Sequence, residues 1–333
     1  MDSAVAVGGL RKSFGSKLVL DGIDFEVPEG TTFALLGPNG SGKTTTVQIL
    51  STLIGSDGGH VRIAGHDLAV DPQGVRAAIG VTGQFSAVDN LLTGEENLQM
   101  MADLHHLDRA EGRRRGAELL EQFDLGEAAR RLASTYSGGM RRRLDLAMTL
   151  IGRPRVIFLD EPTTGLDPRS RRLTWEIVRD LVAGGVTIFL TTQYLEEADQ
   201  LADRIAVLDG GKLVAEGTPG ELKRGLPGGH VRLQFGSAAA LDAAARALGD
   251  EADVSRNDEA DVSRNDEADL SRDDDALALT VPSDGGVRAL RDLLDRLDRA
   301  GVEVDDLSLH TPDLDDVFLA LTGHRTETAE VAR

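Results

Sequence analysis

Three short, unbroken apolar runs stand out along the chain: Thr32-Phe33-Ala34-Leu35-Leu36, Val156-Ile157-Phe158-Leu159 and Val186-Thr187-Ile188-Phe189-Leu190. Runs of this length, bounded by polar residues, are expected to be buried strands, the latter two central in a parallel sheet. The first feeds a glycine-rich loop and then a helix over Thr44-Thr45-Thr46-Val47-Gln48-Ile49-Leu50. Upstream, Leu18-Val19-Leu20 and Ile23-Asp24-Phe25-Glu26-Val27 read as a hairpin-like pair of strands. Between Glu95 and Leu150 the period turns helical, with apolar positions at Leu98, Met101 and Leu104 and again at Leu119, Leu120 and Phe123. The pattern predicts an α/β core interrupted by a mainly helical insert at about 95–150.

A turn-rich stretch, Gly225-Leu226-Pro227-Gly228-Gly229, then marks a boundary. The expected organisation is a first domain over 4–225, a linker at 226–230, a small α+β domain over 231–323 and a tail at 324–333. In the second domain, Val231–Phe235 and Leu277–Val281 alternate as strands, and Leu241–Leu248 and Val287–Leu297 read as helices. Val302–Val304 and Leu307–Leu309 suggest a last, bent strand, and Asp313–Leu321 a short helix. A unit of eight residues, Glu251-Ala252-Asp253-Val254-Ser255-Arg256-Asn257-Asp258, recurs at 259–266 and in degenerate form at 267–274. It is too polar to stack as a solenoid, so 251–274 is expected to be a solvated loop expanded by duplication.

Charge sharpens that division. The formal net charge is −20, and residues 226–333 hold 25 acids against 11 bases. This balance argues against a nucleic-acid partner, which needs a basic footprint. Arginine far outnumbers lysine, 31 to 5. A GC-rich genome and a high-salt cytoplasm both fit this composition. The absence of cysteine rules out disulfides, a cysteine nucleophile and thiolate metal sites, and fits a reducing compartment. No apolar run approaches the ~20 residues of a membrane span, and the N-terminus lacks the pattern of a secretory signal.

The chemistry sits on the apolar runs. Gly37-Pro38-Asn39-Gly40-Ser41-Gly42-Lys43-Thr44 fits G-x-x-x-x-G-K-[ST] between a strand and a helix. Glycines let backbone N–H groups turn inward around phosphate oxygens at a helix N-terminus. Gly37, Pro38, Asn39, Gly40, Ser41, Gly42, Lys43, Thr44 and Thr45 are therefore the candidate ATP-binding set. Lys43 would reach the β- and γ-phosphates and the Thr44 hydroxyl would ligate Mg²⁺. Val156–Leu159 ends in Asp160-Glu161: Asp160 would hold Mg²⁺ through its water shell and Glu161 would polarise the attacking water.

Tyr136-Ser137-Gly138-Gly139-Met140 lies ahead of a helix at Arg141–Leu150. It resembles the signature of ATP-binding cassette (ABC) ATPases, usually Leu-Ser-Gly-Gly-Gln. The resemblance covers 4–225 and implies the fold of a P-loop NTPase of the ABC nucleotide-binding class. It also implies positions: Phe14 against adenine, Gln84 as the lid glutamine and a further metal contact, and Leu166-Asp167 as the D-loop. It implies a homodimer paired head to tail, with Ser137, Gly138 and Gly139 of one subunit capping the γ-phosphate held by the other's Lys43. The helical insert would touch a membrane permease.

Two positions depart from the family pattern. Met140 replaces the usual Gln, and Gln193 stands where a switch histidine normally meets the γ-phosphate. Gln donates an amide hydrogen bond but cannot take up a proton or a positive charge as His can. With Glu161 it completes the catalytic pair. Thr191-Thr192-Gln193-Tyr194-Leu195-Glu196-Glu197-Ala198-Asp199, the Tyr-Ser-Gly-Gly-Met signature and the terminal Leu314-Asp315-Asp316-Val317-Phe318 together resemble the daunorubicin/doxorubicin-resistance ATPase subfamily. That resemblance implies a separate ABC-2-type permease, export of hydrophobic compounds and a peripheral position on the cytoplasmic face of the cell membrane. A soluble ABC ATPase and a nucleotide-binding regulator are the alternatives. His105-His106 reads as helix surface, Arg113–Arg115 and Arg141–Arg143 as solvated faces or partners of acids, and Trp175 as core.

Overall fold

The computed structural model describes residues 3–83, 87–224, 229–249, 270–274, 276–283, 286–310 and 313–323. It divides into two compact units, the larger over Met1–Pro219 together with Leu321–Arg333 and the smaller over Gly220–Ala320.

The larger unit opens with β1 (Ser3–Phe14) and β2 (Lys17–Pro28), then β3 (Thr32–Leu36), α1 (Lys43–Leu50), β4 (Gly58–Ile63), β5 (His66–Asp67), α2 (Pro72–Ala78) and β6 (Ile79–Thr82). Strand β2 corrects the hairpin expectation: it is one strand. Leu10 faces Ile23 and Arg11 faces Asp21, so Gly22, at φ 72°, is the extra residue of a bulge. A bulge and a tight turn both interrupt an apolar pattern with glycine, but only the turn reverses the chain. β2, β1, β4 and β5 form a four-stranded antiparallel sheet.

The insert contains α3 (Gly94–Leu104), α4 (Arg109–Gln122) and α5 (Gly138–Thr149). A capping box between Thr93 and Glu96 starts α3, and the Asp108 carboxylate caps α4. Leu98, Leu119, Leu120 and Phe123 are buried as expected, whereas Leu104 is exposed in the last turn of α3. Then follow β7 (Val156–Asp160), α6 (Pro168–Ala183), β8 (Thr187–Thr192), α7 (Leu195–Leu201), β9 (Arg204–Asp209) and β10 (Lys212–Gly217); α8 (Pro219–Arg224) begins at the boundary and belongs from Gly220 onward to the smaller unit. The second sheet runs β10-β9-β3-β8-β7-β6, parallel throughout except for β10. Its strands β3, β7 and β8 are buried at every position. Phe25, Phe33 and Phe189 stack between the two sheets' strands with ring centroids 5.3–5.6 Å apart. In such open parallel sheets ligands bind beyond the carboxyl ends of the strands. Here β3 delivers Gly37, β7 delivers Glu161 and β8 delivers Gln193 to that edge.

The smaller unit contains β11 (His230–Gln234), α9 (Ala238–Gly249), β12 (Ser271–Asp273), β13 (Ala278–Pro282), α10 (Val287–Arg299) and β14 (Asp306–His310). Its strands order as β12-β13-β11-β14, all antiparallel. That is the split β-α-β arrangement of ferredoxin-like folds. Val231, Leu233 and Leu279 from the sheet pack with Leu241 of α9 and Leu293 and Leu297 of α10. Two expectations are corrected. Strand β14 does not include 302–304: Gly301, at φ 66°, ends α10, and the Val302 and Gly301 N–H groups bond back to Leu297 and Asp298. The apolar Val302 is thus a helix stop rather than strand. Residues Ser271–Asp273, at the end of the repeat, form an edge strand on β13 rather than loop. The rest of the repeat up to 269, linker residues 225–228 and the tail lie outside the described residues. A last helix, α11 (Leu314–Thr322), buries Leu314, Val317 and Phe318.

Candidate active site

The loop after β3 is shaped by its glycines. Gly40 and Gly42 sit at φ 82° and 116°, a region side chains disfavour. A Cβ on Gly37 would lie 2.3 Å from the Leu208 carbonyl oxygen, and one on Gly42 would strike Leu20. The loop therefore hugs β2 and β9 by bare backbone. Lys43 is 4% exposed; its ammonium donates to the Gly37 and Pro38 carbonyls at 2.8 and 3.1 Å and stands 3.6 Å from Glu161. Burial lowers its pKa, and the carboxylates of Glu161 and Asp160 pull against that shift. The Ser41 hydroxyl is buried with no hydrogen-bond partner. An orphaned donor inside a glycine cradle fits a phosphate-bearing ligand.

Asp160 and Glu161 are held by β8. Thr191 donates its hydroxyl to Asp160, and the Glu161 N–H bonds the Thr191 carbonyl at 3.1 Å. Glu161 adopts φ 48°, uncommon for a non-glycine residue, and that hydrogen bond holds it there. Thr44 Oγ1 lies 3.4 Å from Asp160. One hydroxyl and one carboxylate suit Mg²⁺, which keeps most of its ligands as water and substrate phosphate. Among the described residues no cluster of three or more His, Cys, Asp or Glu forms; His105-His106 is exposed at the end of α3.

Gln193 follows directly after β8 and is half-buried. Phe14, at the end of β1, is 51% exposed, with the Lys12 ammonium 5.4 Å from its ring centre. Asp57 fixes that strand end by accepting from both Lys12 and the Ser13 N–H. Gln84 lies outside the described residues.

The signature is not upstream of a helix beginning at Arg141: α5 starts at Gly138, with Ser137 as its N-cap accepting from the Met140 N–H. A capping serine followed by two glycines hides the helix start from a propensity reading. Gly139 is needed within the chain, because a Cβ there would lie 2.5 Å from Ser170 Oγ on α6. Gly138 faces open space, with nothing within 4 Å of an added Cβ. The Arg141–Arg143 run divides: Arg142 is buried against Asp145 and the Gly83 carbonyl, and Arg143 pairs with Asp124. Sequence reasoning missed Thr191, Thr192 and Glu197. Thr191 and Thr192 had a signal, polar residues at the end of an apolar run where a strand edge meets a site; Glu197, on α7, had none.

This geometry defines a P-loop nucleotide-binding ATPase. Residues 20–164 match the ABC transporter family. A daunorubicin resistance ATP-binding protein of Streptomyces coeruleorubidus is 49% identical over 98% of this chain and 97% of its own. A daunorubicin/doxorubicin resistance ATP-binding protein of Streptomyces peucetius is 48% identical, over 96% of this chain and 93% of its own. A solved ATP-binding subunit of an ABC transporter superposes with a TM-score of 0.61 at 29% identity, over 67% of this chain and 93% of that one. The chain belongs to the ATP-binding subunits of ABC transporters, in the group of the daunorubicin-resistance proteins. It is an ATPase, and subunits of this family pair with each other and with a membrane permease.

Proposed function

We propose that this chain drives efflux of hydrophobic compounds through a separate ABC-2-type permease, from the cytoplasmic face of the membrane. The observation that carries the reading is likeness to resistance proteins over nearly the whole chain, the smaller unit included. It favours transport over the soluble alternatives. No helix among the described residues is long and apolar enough to cross a membrane, so the bilayer would be met through the permease. Residues 4–225 would bind ATP, and 231–323 would form the accessory domain.

In the proposed site, the Gly37–Thr45 segment cradles the phosphates and Phe14 stacks on adenine. Thr44 and Asp160, with Gln84, would hold Mg²⁺, which supplies charge neutralisation at the phosphates. ATP would draw Lys43 away from Glu161 and leave that carboxylate to polarise water. Gln193 donates to the γ-phosphate. Ser137, Gly138 and Gly139 close the site of the opposite subunit; the open space at Gly138 supports a ligand that comes from outside its own chain. Lys43→Ala and Ser137→Arg chains should each lose turnover, and a mixture should recover at most one site per dimer. Full-rate hydrolysis by either variant as a monomer overturns the composite site. For the transport reading, cells expressing the chain with an ABC-2-type permease that it energises should retain less daunorubicin, and Glu161→Gln should abolish the difference.

A further inference from the structure

Glu197, on α7, is 0% exposed. The indole N–H of Trp175, on α6, donates to its Oε1 at 3.2 Å. The hydroxyls of Thr163 and Thr192 face the same carboxyl, and Arg171 lies close enough to favour its ionised form. The other oxygen, Oε2, completes no hydrogen bond, and neither does the buried Thr163 hydroxyl. An apolar residue would fill this space without leaving two polar atoms unmatched.

The two threonines flank the reacting centre. Thr163 is two residues past Glu161, and its carbonyl accepts from the Leu166 N–H of the D-loop. Thr192 immediately precedes Gln193. Its carbonyl accepts from the N–H of Gly37, and its hydroxyl accepts from the Tyr194 N–H. One buried carboxyl therefore faces both segments that carry the proposed catalytic groups, and one of those segments is bonded to the phosphate loop.

We propose that Glu197 is a positioning residue for ATP hydrolysis: it fixes the Thr192–Gln193 segment against the loop after Glu161, and links their arrangement to α6 through Trp175. It touches no substrate. This rests on the site assignment above and adds a residue that assignment does not contain.

The test uses the purified full-length chain with Mg-ATP, and Trp175 is the chain's single tryptophan, so its emission reads this contact directly. ATP should change the emission of wild type and of Glu161→Gln, and change that of Glu197→Ala little. Glu197→Ala should lower kcat at least about tenfold while KM for ATP moves less than about threefold, the mark of a group that acts in the transition state rather than in binding. Glu197→Gln, which keeps an acceptor for Trp175, should stay within about threefold of wild type. Wild-type kcat in a folded Glu197→Ala, or a rise in KM matching the fall in kcat, overturns the proposal. Should that variant not fold, Thr163→Val decides: a kcat fall at steady KM supports the link, and unchanged kcat overturns it. Glu161→Gln turning over at the wild-type rate refutes the catalytic assignment instead, and leaves the Trp175 response to judge Glu197 alone.

Discussion

The two units bury different chemistry. Every buried polar or charged side chain among the described residues, from Thr32 to Glu197, falls in the larger unit, including Lys43, Arg142, Asp145 and Asp160. The core of the smaller unit is Val, Leu, Ala and Phe. A buried polar group costs free energy unless it is paired, and a buried charge costs more. The larger unit carries part of those costs at the carboxyl edge of its parallel sheet, at Lys43, Asp160, Thr191 and Thr192, and part on its helices, at Asn97, Arg142 and Asp145. The smaller unit carries none among the described residues, and its strand β11 alternates as a half-buried strand should: Val231 and Leu233 inward, Arg232 and Gln234 outward. One unit is organised around a reaction, and the other around its own packing.

The sharpest way to break that contrast is at Glu161. Glu161→Gln should lower ATP turnover by about 10²- to 10⁴-fold, the range for losing a positioned general base, while ATP binding survives because the cradle is intact. The variant should then elute as an ATP-dependent dimer in size-exclusion chromatography. Hydrolysis near the wild-type rate would remove Glu161 from catalysis.

The smaller unit should respond in the opposite currency, stability. Leu233 is fully buried among Leu241, Leu279 and Leu293. Leu233→Ala should cost about 2–5 kcal/mol of that unit's stability, from lost transfer energy and the cavity left behind. Urea unfolding followed by circular dichroism should show a shifted midpoint, with kcat of the still-folded chain within about twofold of wild type. A large kcat loss at unchanged stability would assign chemistry to the wrong unit as well.

How legible each unit is from sequence follows from the same division. Strands β3, β7 and β8 were readable because burial on both faces leaves unbroken apolar runs, and the phosphate loop because its spacing serves one chemistry. The smaller unit was readable element by element through alternation, yet its strand order was not, since antiparallel pairing depends on long-range contacts that no local pattern specifies. Misreadings fell where glycine or a capping residue has two uses. Gly22 makes a bulge instead of a turn, Gly301 stops a helix before Val302, and Ser137 caps a helix that begins at Gly138, three residues before the expected Arg141. Glu197 was invisible because an acid on a helix reads as solvated until the fold closes over it.

Gln193 tests whether the switch position works by donating or by shuttling a proton. An amide has no accessible pKa, so measurable turnover by the wild type would itself favour donation. Gln193→Ala should lose about 10²-fold in kcat, the effect of deleting one transition-state donor. Gln193→His should remain within about tenfold, or ~1.4 kcal/mol of barrier. An alanine variant as fast as wild type would remove Gln193 from the site and leave Glu161 to act without it.

The smallest effect concerns the charge state of the larger unit's deepest acid. Burial pushes the Glu197 carboxyl above its ordinary range, with the Thr192 and Thr163 hydroxyls that face it and the Trp175 indole N–H pulling back. An acid whose pKa is raised on folding binds its proton more tightly in the native state than in the unfolded one. It therefore stabilises the fold fully below its unfolded pKa, and that contribution is lost as pH rises through the folded value. Glu197→Gln keeps the shape and removes the titration. The melting temperature of wild type minus that of Glu197→Gln should be largest near the acid end of the stable range and should shrink as pH rises. Among the described residues the smaller unit buries no acid, so Leu233→Ala should show a melting difference that does not follow pH in this way. A Glu197→Gln difference that grows with pH would mean that the carboxylate is stabilised where it sits, and that Arg171 and its hydrogen bonds outweigh the cost of burial.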